Sequence, residues 1–309
     1  MKVGLYHHER LPVEKYGGVE RVMIWLARGL KELGHEPVLL TPPESRVEEF
    51  PTHVIPARAF KRMEIHDDFS LDPYLPGGLD VVHFHDNTRG SCAVPAIFTV
   101  HGNAWASTIG PREVFVSRDH MTRMGGAHFV YNGIDPHDYC FAAEKEDFLL
   151  FLGLASRSVK GVDRAERIAR MAGRELVIAG GRRFNLSRKI RSVGLVDNTR
   201  KRELLARASA LLNPIRWAEP FGLVVIEALA SGTPVLAPPL GSMPELVTAD
   251  VGFLCEHEEE FAQAIDRIGE LDPAACRARV EGGFTHVHMA RGYVELYRRA
   301  ISGTLERGS

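Results

Sequence analysis

Two glutamates eight residues apart, Glu219 and Glu227, bracket the run Pro-Phe-Gly-Leu-Val-Val-Ile. The Pro-Phe-Gly turn separates the first carboxylate from a helix expected over residues 222–230. Glu219 therefore falls on the loop that leads into this helix, and Glu227 about one turn inside it. Between them, the backbone N–H groups of Phe221, Gly222 and Leu223 are the free donors of the helix N-terminus, an anion site reinforced by the helix dipole. A nucleotide-sugar suits this layout. One carboxylate takes sugar hydroxyls, the helix end takes a diphosphate, and the other carboxylate takes a ribose diol. The same pair also reads as an exposed loop residue and a surface helix residue, and the spacing alone leaves both readings open.

Other residues with chemistry in them are histidines and cations. His83 and His85 alternate along a strand and share a face. With Asp86 and His101 nearby they resemble a metal set, but a satisfied polar cluster reads as well, and no Asp-x-Asp pair occurs anywhere in the chain. His7-His8 and His286/His288 read as polar surface residues, the first pair with no role beyond an acceptor contact. Residues 182–202 carry eight basic side chains and one acid, Asp197, which reads as a solvated face bordering an anionic ligand rather than a nucleic-acid patch. Gly17-Gly18, after the first strand, lets the backbone approach a phosphate or sugar closely.

The elements that must position these groups follow a βαβ rhythm. A strand is expected over residues 2–6. A helix follows to about Leu33, with Val22, Leu26, Leu30 and Leu33 on one face and Gly34 as its stop. Further strands are expected at 36–41, 79–84, 96–100, 114–117 and 128–131. The rhythm restarts after a polar stretch. Strands are expected at 148–152, 175–179, 209–214, 233–237 and 251–254, with helices at 162–171, 199–208, 222–230, 258–271 and 289–300. The fold class is α/β, with two Rossmann-like domains, each built on a parallel sheet, and a cleft between their carboxyl ends. The expected division is 1–142, 143–285, and a C-terminal helix region, 286–309, packing back on the first domain.

The chain has 309 residues, 45% apolar and 25% charged, with net charge −2. This suits a two-domain soluble enzyme and excludes a disordered chain or a uniformly basic nucleic-acid binder. The four scattered cysteines make no metal-ligand spacing and read as reduced structural thiols. No stretch has the makings of a bilayer span or a signal core.

Several short segments recur in one order: Gly17-Gly18-Val19-Glu20, Asp80-Val-Val-His-Phe-His85, Thr99-Val-His101-Gly102, Asn132-Gly133-Ile134-Asp135, Gly153 with Lys160-Gly161, the Glu219-x7-Glu227 run, Ser231-Gly-Thr-Pro-Val-Leu236 and Gly241-Ser-Met-Pro-Glu245. In this the sequence resembles the family 4 retaining glycosyltransferases of the GT-B fold, over nearly its whole length. The resemblance implies a hexosyltransferase that moves a sugar from a UDP- or GDP-sugar to a hydroxyl acceptor (a saccharide, lipid-linked or small molecule) with no metal or other cofactor. It implies His101, Glu219 and Lys160 as catalytic residues. It places the donor against Gly17, Gly18, Arg157, Lys160, Leu195, Phe221, Gly222, Leu223 and Glu227. Glu219 would contact the sugar hydroxyls, Glu227 the ribose, Lys160 the diphosphate, and the loop at Gly194-Leu195-Val196 the base. The family places an arginine directly after the strand glycine. Here Leu154 stands there, in a loop one residue longer, and Arg157 is the expected substitute.

By the same resemblance the reaction retains anomeric configuration by a front-face route. A double displacement would need a carboxylate nucleophile, and no residue presents itself. A cytoplasmic protein of bacterial type is implied, with peripheral contact at the inner face of a membrane left open. A GT-B nucleotide-sugar epimerase and a non-catalytic nucleotide-sugar-binding partner remain as alternatives. Acceptor selection is expected in loops 7–16, 47–76 and 103–112, in a trimmed first domain.

Overall fold

A computed structural model of the chain describes residues 1–12, 17–86, 88, 90–103, 109–183 and 187–305. Parts of the expected acceptor loops (13–16 and 104–108) and of the basic segment (184–186) lie outside the described residues. The backbone divides into two compact units, Met1–Gly133 with His286–Ser309, and Ile134–Thr285. The division falls at Gly133, before residue 142, because the intervening segment packs with the second unit. There the Ile134 N–H donates to the Phe284 carbonyl and the Tyr139 hydroxyl to Glu227.

The first unit runs β1 (Lys2–Tyr6), α1 (Val19–Glu32), β2 (Glu36–Thr41), β3 (Thr52–Val54), α2 (Ala57–Ile65), β4 (Val81–Phe84), β5 (Ala96–Val100), β6 (Glu113–Phe115), α3 (Arg118–Met124) and β7 (His128–Phe129). Its sheet has the order β3-β2-β1-β4-β5-β6-β7, with every pair parallel. The apolar runs of β1, β2 and β4 are buried along nearly their whole length, as expected where helices cover both faces of a parallel sheet. Tyr6 packs on Phe60 at 4.8 Å and on Phe84 at 4.9 Å between ring centroids, in a core that includes Leu40 and Met63. The order reverses at β1, flanked by β2 and β4. Such a switch point leaves a crevice at the carboxyl ends of the strands.

The second unit runs β8 (Glu146–Leu152), α4 (Val162–Met171), β9 (Glu175–Ala179), β10 (Ile190–Gly194), α5 (Asn198–Arg207), β11 (Ala208–Leu212), α6 (Leu223–Ala230), β12 (Val235–Ala237), α7 (Met243–Leu246), β13 (Gly252–Leu254), α8 (Glu258–Asp266) and α9 (Pro273–Glu281). Its sheet, β10-β9-β8-β11-β12-β13, is again parallel throughout and reverses between β8 and β11. Leu149, Phe151, Ile168, Leu176, Ile178 and Phe261 are fully or almost fully buried in its core. Cys255 and Cys276 are buried there too, and burial raises their thiols to about 11 and about 12.

The last helix, α10 (His286–Ile301), belongs to the first unit and packs along α1. The closeness depends on Gly29: a Cβ there would lie 2.4 Å from the His286 carbonyl oxygen and 2.8 Å from the Ala290 Cβ. Alanine elsewhere in a helix interior gains about 1 kcal/mol over glycine. Here it must separate two helices, and overpacking typically costs about 1–3 kcal/mol. Gly29→Ala is expected to destabilise the protein by about 1–2 kcal/mol in chemical denaturation; a stabilised variant would show that the helices yield. No helix among the described residues is long and apolar enough to cross a membrane.

Candidate functional site

Lys160 and Glu219 come from the loops that follow β8 and β11, neighbouring strands at the switch point of the second sheet. The Lys160 ammonium donates to Glu219 Oε2 at 2.6 Å and lies 5.0 Å from the centre of the Trp217 ring, whose indole N–H donates to the same carboxylate oxygen at 2.8 Å. Both charged side chains are mostly shielded, with 19% and 14% of their surfaces exposed. Shielding strengthens this charge-assisted contact relative to a fully solvated pair.

Two glycines set this geometry. Gly161, next to Lys160, has φ +74 and faces the backbone of the β11 loop, where a Cβ would meet the Pro214 carbonyl oxygen at 2.2 Å. Gly241, with φ +61, lies against Glu219 itself, so close that a Cβ would fall 2.4 Å from both its N and its O. The next N–H, of Ser242, donates to the Glu219 carbonyl at 3.0 Å. The Ser242 hydroxyl donates to the Phe221 carbonyl. Glycine is required at both positions by dihedral and by space. Arg216 adds a two-pronged contact to Asp163 in the first turn of α4, at 2.7 and 2.6 Å, and these hydrogen bonds hold the Asp163 carboxyl well below the usual range. The Arg216 N–H also donates to the Val159 carbonyl. Lys160 is thus fixed from both sides by residues that spacing did not single out.

Phe221 is buried, Gly222 is the N-cap of α6, and no side chain caps that helix. Its first turn therefore keeps backbone donors of the kind an anion takes. Arg157 is exposed; its backbone N–H donates to the Leu154 carbonyl at 3.0 Å, and its guanidinium has no hydrogen-bond or ion-pair partner among the described residues. Leu195, 61% exposed, follows Gly194 at the end of β10, whose carbonyl accepts from the Gly180 N–H at 2.7 Å.

Glu227 is buried, not the surface helix residue that one reading of the spacing allowed. Only 2% of it is exposed, and Oε1 accepts from the Lys201 ammonium at 2.9 Å and the Tyr139 hydroxyl at 2.8 Å. In this arrangement Oε1 is held by partners inside its own unit. Lys201 corrects a second expectation. It is buried rather than part of a solvated basic face, and elsewhere in that segment Arg183 pairs with Glu166 at 2.9 Å.

In the first unit Gly17 and Gly18 lead into α1. Gly18 is its N-cap at φ −85, so no special dihedral explains that glycine, and the Gly17 carbonyl accepts from Arg21 Nε at 2.7 Å. The carboxyl ends of β1, β4 and β5 carry histidines. His83 is fully buried: Nδ1 meets the Tyr297 hydroxyl at 2.8 Å and Nε2 the Thr99 hydroxyl at 2.6 Å, which meets the Tyr293 hydroxyl at 2.8 Å. His85 Nδ1 meets His101 Nε2 at 3.1 Å, with the rings stacked. These contacts make His83 a bonded core residue that anchors α10 to the sheet, not a metal ligand.

His7 is also buried, not a surface residue. With His8 and Asp86 it forms a group whose ligand atoms lie within 4.8 Å of one another. Hydrogen bonds within the group decide what it is. The Glu9 N–H donates to His7 Nδ1 at 2.9 Å, so the ring proton of neutral His7 sits on Nε2, facing Asp86 at 3.5 Å. A hydrogen bond from His8 to Asp86 raises His8 to about 9. Both rings thus offer protons to Asp86 where a metal would need lone pairs.

Burial drives His83 and His85 well below the ordinary histidine range and His101 down to about 3. Their folded values are depressed, so the unfolded chain takes up more protons once pH falls below about 6.5, and stability is lost on the acid side. The His8–Asp86 contact has the opposite sign: it is fully present below about 6.5 and is lost as pH rises through about 9. The denaturation midpoint is therefore expected to fall between about pH 7 and pH 5, and less so in His83→Gln. A flat profile would show that these rings protonate in place.

Two family models match the chain, "Glycosyltransferase Family 4" over residues 16–124 and "Glycosyl transferases group 1" over residues 146–270. The chain is 28% identical over 260 residues to a glycogen synthase of Mycobacterium tuberculosis, covering 65% of this chain and 62% of that protein. The chain thus spans about six tenths of the length of that relative. It is 24% identical to a phosphatidyl-myo-inositol mannosyltransferase of Mycolicibacterium smegmatis, covering 85% of this chain and 83% of the relative. Among solved structures, AviGT4, a glycosyltransferase involved in avilamycin A biosynthesis, superposes with a TM-score of 0.78 at 26% identity and 98% coverage of both chains. Anabaena Alr3699/HepE in complex with UDP and glucose shares the fold, with a TM-score of 0.67 at 15% identity, covering 96% of this chain and 99% of that one.

Proposed function

We propose a donor chemistry for this chain, which belongs to the family 4-type glycosyltransferases and has the GT-B fold: it transfers a hexose from a nucleoside-diphosphate sugar to a hydroxyl acceptor, with retention and without a metal. The observation that carries this reading is the Lys160–Glu219 pair at the carboxyl ends of β8 and β11, in the same loop as the uncapped N-terminus of α6. The pair holds one positive and one negative charge in contact. A donor brings what each needs: phosphate oxygens for the ammonium and hydroxyl groups for the carboxylate. Donor binding trades the ion pair for these two contacts, so Lys160 arrives at the diphosphate already in place.

The chemical step breaks the bond between the anomeric carbon and the diphosphate oxygen. The electron pair leaves with the phosphate, and the charge that grows there is what Lys160 stabilises. The departing phosphate takes the proton of the acceptor hydroxyl as the new glycosidic bond forms on the same face. Arg157 supplies a second cation. His101 contacts the transferred sugar. Its depressed basicity keeps it neutral, so it serves as a hydrogen-bonding group and not as the base. Glu227, held by Lys201 and Tyr139, acts in this reading by fixing α6. The relatives named for glycogen synthesis and for mannosylation of phosphatidyl-myo-inositol support a saccharide or lipid-linked alcohol as acceptor.

The test is a thermal-shift titration with UDP, GDP, ADP and their hexose conjugates. One nucleotide series is expected to stabilise the protein, by about 2.7 kcal/mol at 100 times its Kd. The stabilisation should survive EDTA and vanish in Lys160→Ala. No shift with any nucleotide would overturn the reading.

A further inference from the structure

His101 and His85 are both held neutral by burial, so each ring carries one proton, and the 3.1 Å contact between His85 Nδ1 and His101 Nε2 uses one of them. Two arrangements satisfy that contact. In the first, His101 donates from Nε2 and His85 accepts at Nδ1. The His85 proton then sits on Nε2, which is buried and has no partner among the described residues. In the second, His85 donates from Nδ1, its Nε2 is a bare lone pair, and His101 keeps its proton on Nδ1. A buried N–H with nowhere to donate is the rarer defect, and leaving such a donor unmade costs about 1–3 kcal/mol.

The surroundings hold His85 in this pose. Its backbone N–H donates to the Tyr6 carbonyl at 3.0 Å, its ring centroid lies 4.0 Å from that of His83, and His83 is tied through Tyr297, Thr99 and Tyr293 to α10. The His101 ring is stacked with that of His85, with ring centroids 5.4 Å apart.

We propose that His85 is a positioning residue that donates to His101 Nε2 and thereby fixes His101 as the tautomer with its proton on Nδ1. The inference rests on the reading of His101 as a sugar contact and makes it specific. His101 offers the sugar a hydrogen-bond donor, suited to a hydroxyl or ring oxygen, and has no free lone pair with which to act as a base. The histidine after β4 thus sets the chemistry of the histidine after β5, as outer partners of a functional histidine fix its tautomer elsewhere.

Long-range ¹H–¹⁵N correlation spectra of the histidine-labelled full chain test this without any ligand. His101 is expected to show a protonated Nδ1 and an unprotonated Nε2, and His85 likewise. In His85→Leu the His101 Nε2 loses its donor, and the ring is expected to shift toward a mixture of tautomers. His85→Asn, whose amide N–H lies close to the place of Nδ1, is expected to restore the wild-type pattern. A wild-type spectrum with His101 protonated on Nε2 overturns the inference, as does an unchanged His101 pattern in folded His85→Leu. A normal transfer rate in His101→Ala would instead overturn the sugar-contact reading while leaving the tautomer assignment standing.

Discussion

In the proposed reaction, Lys160→Ala and Glu219→Ala are each expected to lower kcat/KM for sugar transfer by about 10²-fold or more, roughly 3 kcal/mol of transition-state stabilisation. For Lys160 the loss falls mainly on kcat, because the charge it meets grows as the diphosphate departs. Glu219 is expected to lose on both parameters, since its hydrogen bonds to sugar hydroxyls exist in the bound donor as well as at the transition state. The two residues touch at 2.6 Å, so their effects should not add. Once Lys160 is gone, the Glu219 carboxylate keeps the Trp217 indole N–H and would face the incoming diphosphate without the ammonium beside it. Lys160→Ala is therefore expected to be the more damaging single change, and Lys160→Ala with Glu219→Gln less damaging than the sum. Both variants are expected to remain folded, with a smaller change in stability than in catalysis. Steady-state kinetics beside chemical denaturation separates the two effects. Near-normal turnover in both single variants would remove these residues from the site.

What the sequence made legible follows from what is local in it. The rhythm of apolar strands and amphipathic helices is local, and so is a motif such as Glu219 to Glu227. Both therefore read through to two parallel sheets and to a loop entering α6. Elements with weak local signals do not stand out in the pattern. β3 has three residues, none of them buried, and β10 is a half-exposed edge strand with an arginine and a serine in it. α9 is absent from the expected elements although Asp272-Pro273 opens it, with the Asp272 carboxylate accepting from the Ala274 N–H at 2.8 Å. That signal was available, because an Asp N-cap followed by proline is a helix start.

The pairings were not available. Lys201 stands in a basic run, and nothing beside it shows that its partner lies 26 residues on, within another helix. His83 bonds to a tyrosine 214 residues away, so its burial depends on where α10 lands. Arg216 and Asp163 are likewise joined only by the neighbouring of β8 and β11. Local pattern gives the identity of a charged residue, and topology alone decides whether it meets solvent, substrate or a counter-charge.

The Lys201–Glu227 contact shows how large that difference is. Glu227 has 2% of its side chain exposed and Lys201 10%, so each charge has given up most of its water. Removing one partner breaks a buried ion pair, and such changes cost about 3–5 kcal/mol. Lys201→Met is expected to lose an amount in this range by chemical denaturation. The Glu227 carboxylate would then retain the Tyr139 hydroxyl, a neutral donor. Glu227→Gln should lose less, since an amide oxygen still accepts from both Lys201 and Tyr139. Changing both residues, Lys201→Met with Glu227→Leu, removes the two desolvated charges together and should recover most of the loss. The same series separates two roles for Glu227. If the carboxylate serves only to hold α6, the double variant regains donor binding along with stability. If it also touches the ribose, stability returns while nucleotide affinity stays depressed. Equal stability of Lys201→Met and the wild-type chain would mean that the ammonium is solvated, and that α6 owes nothing to it.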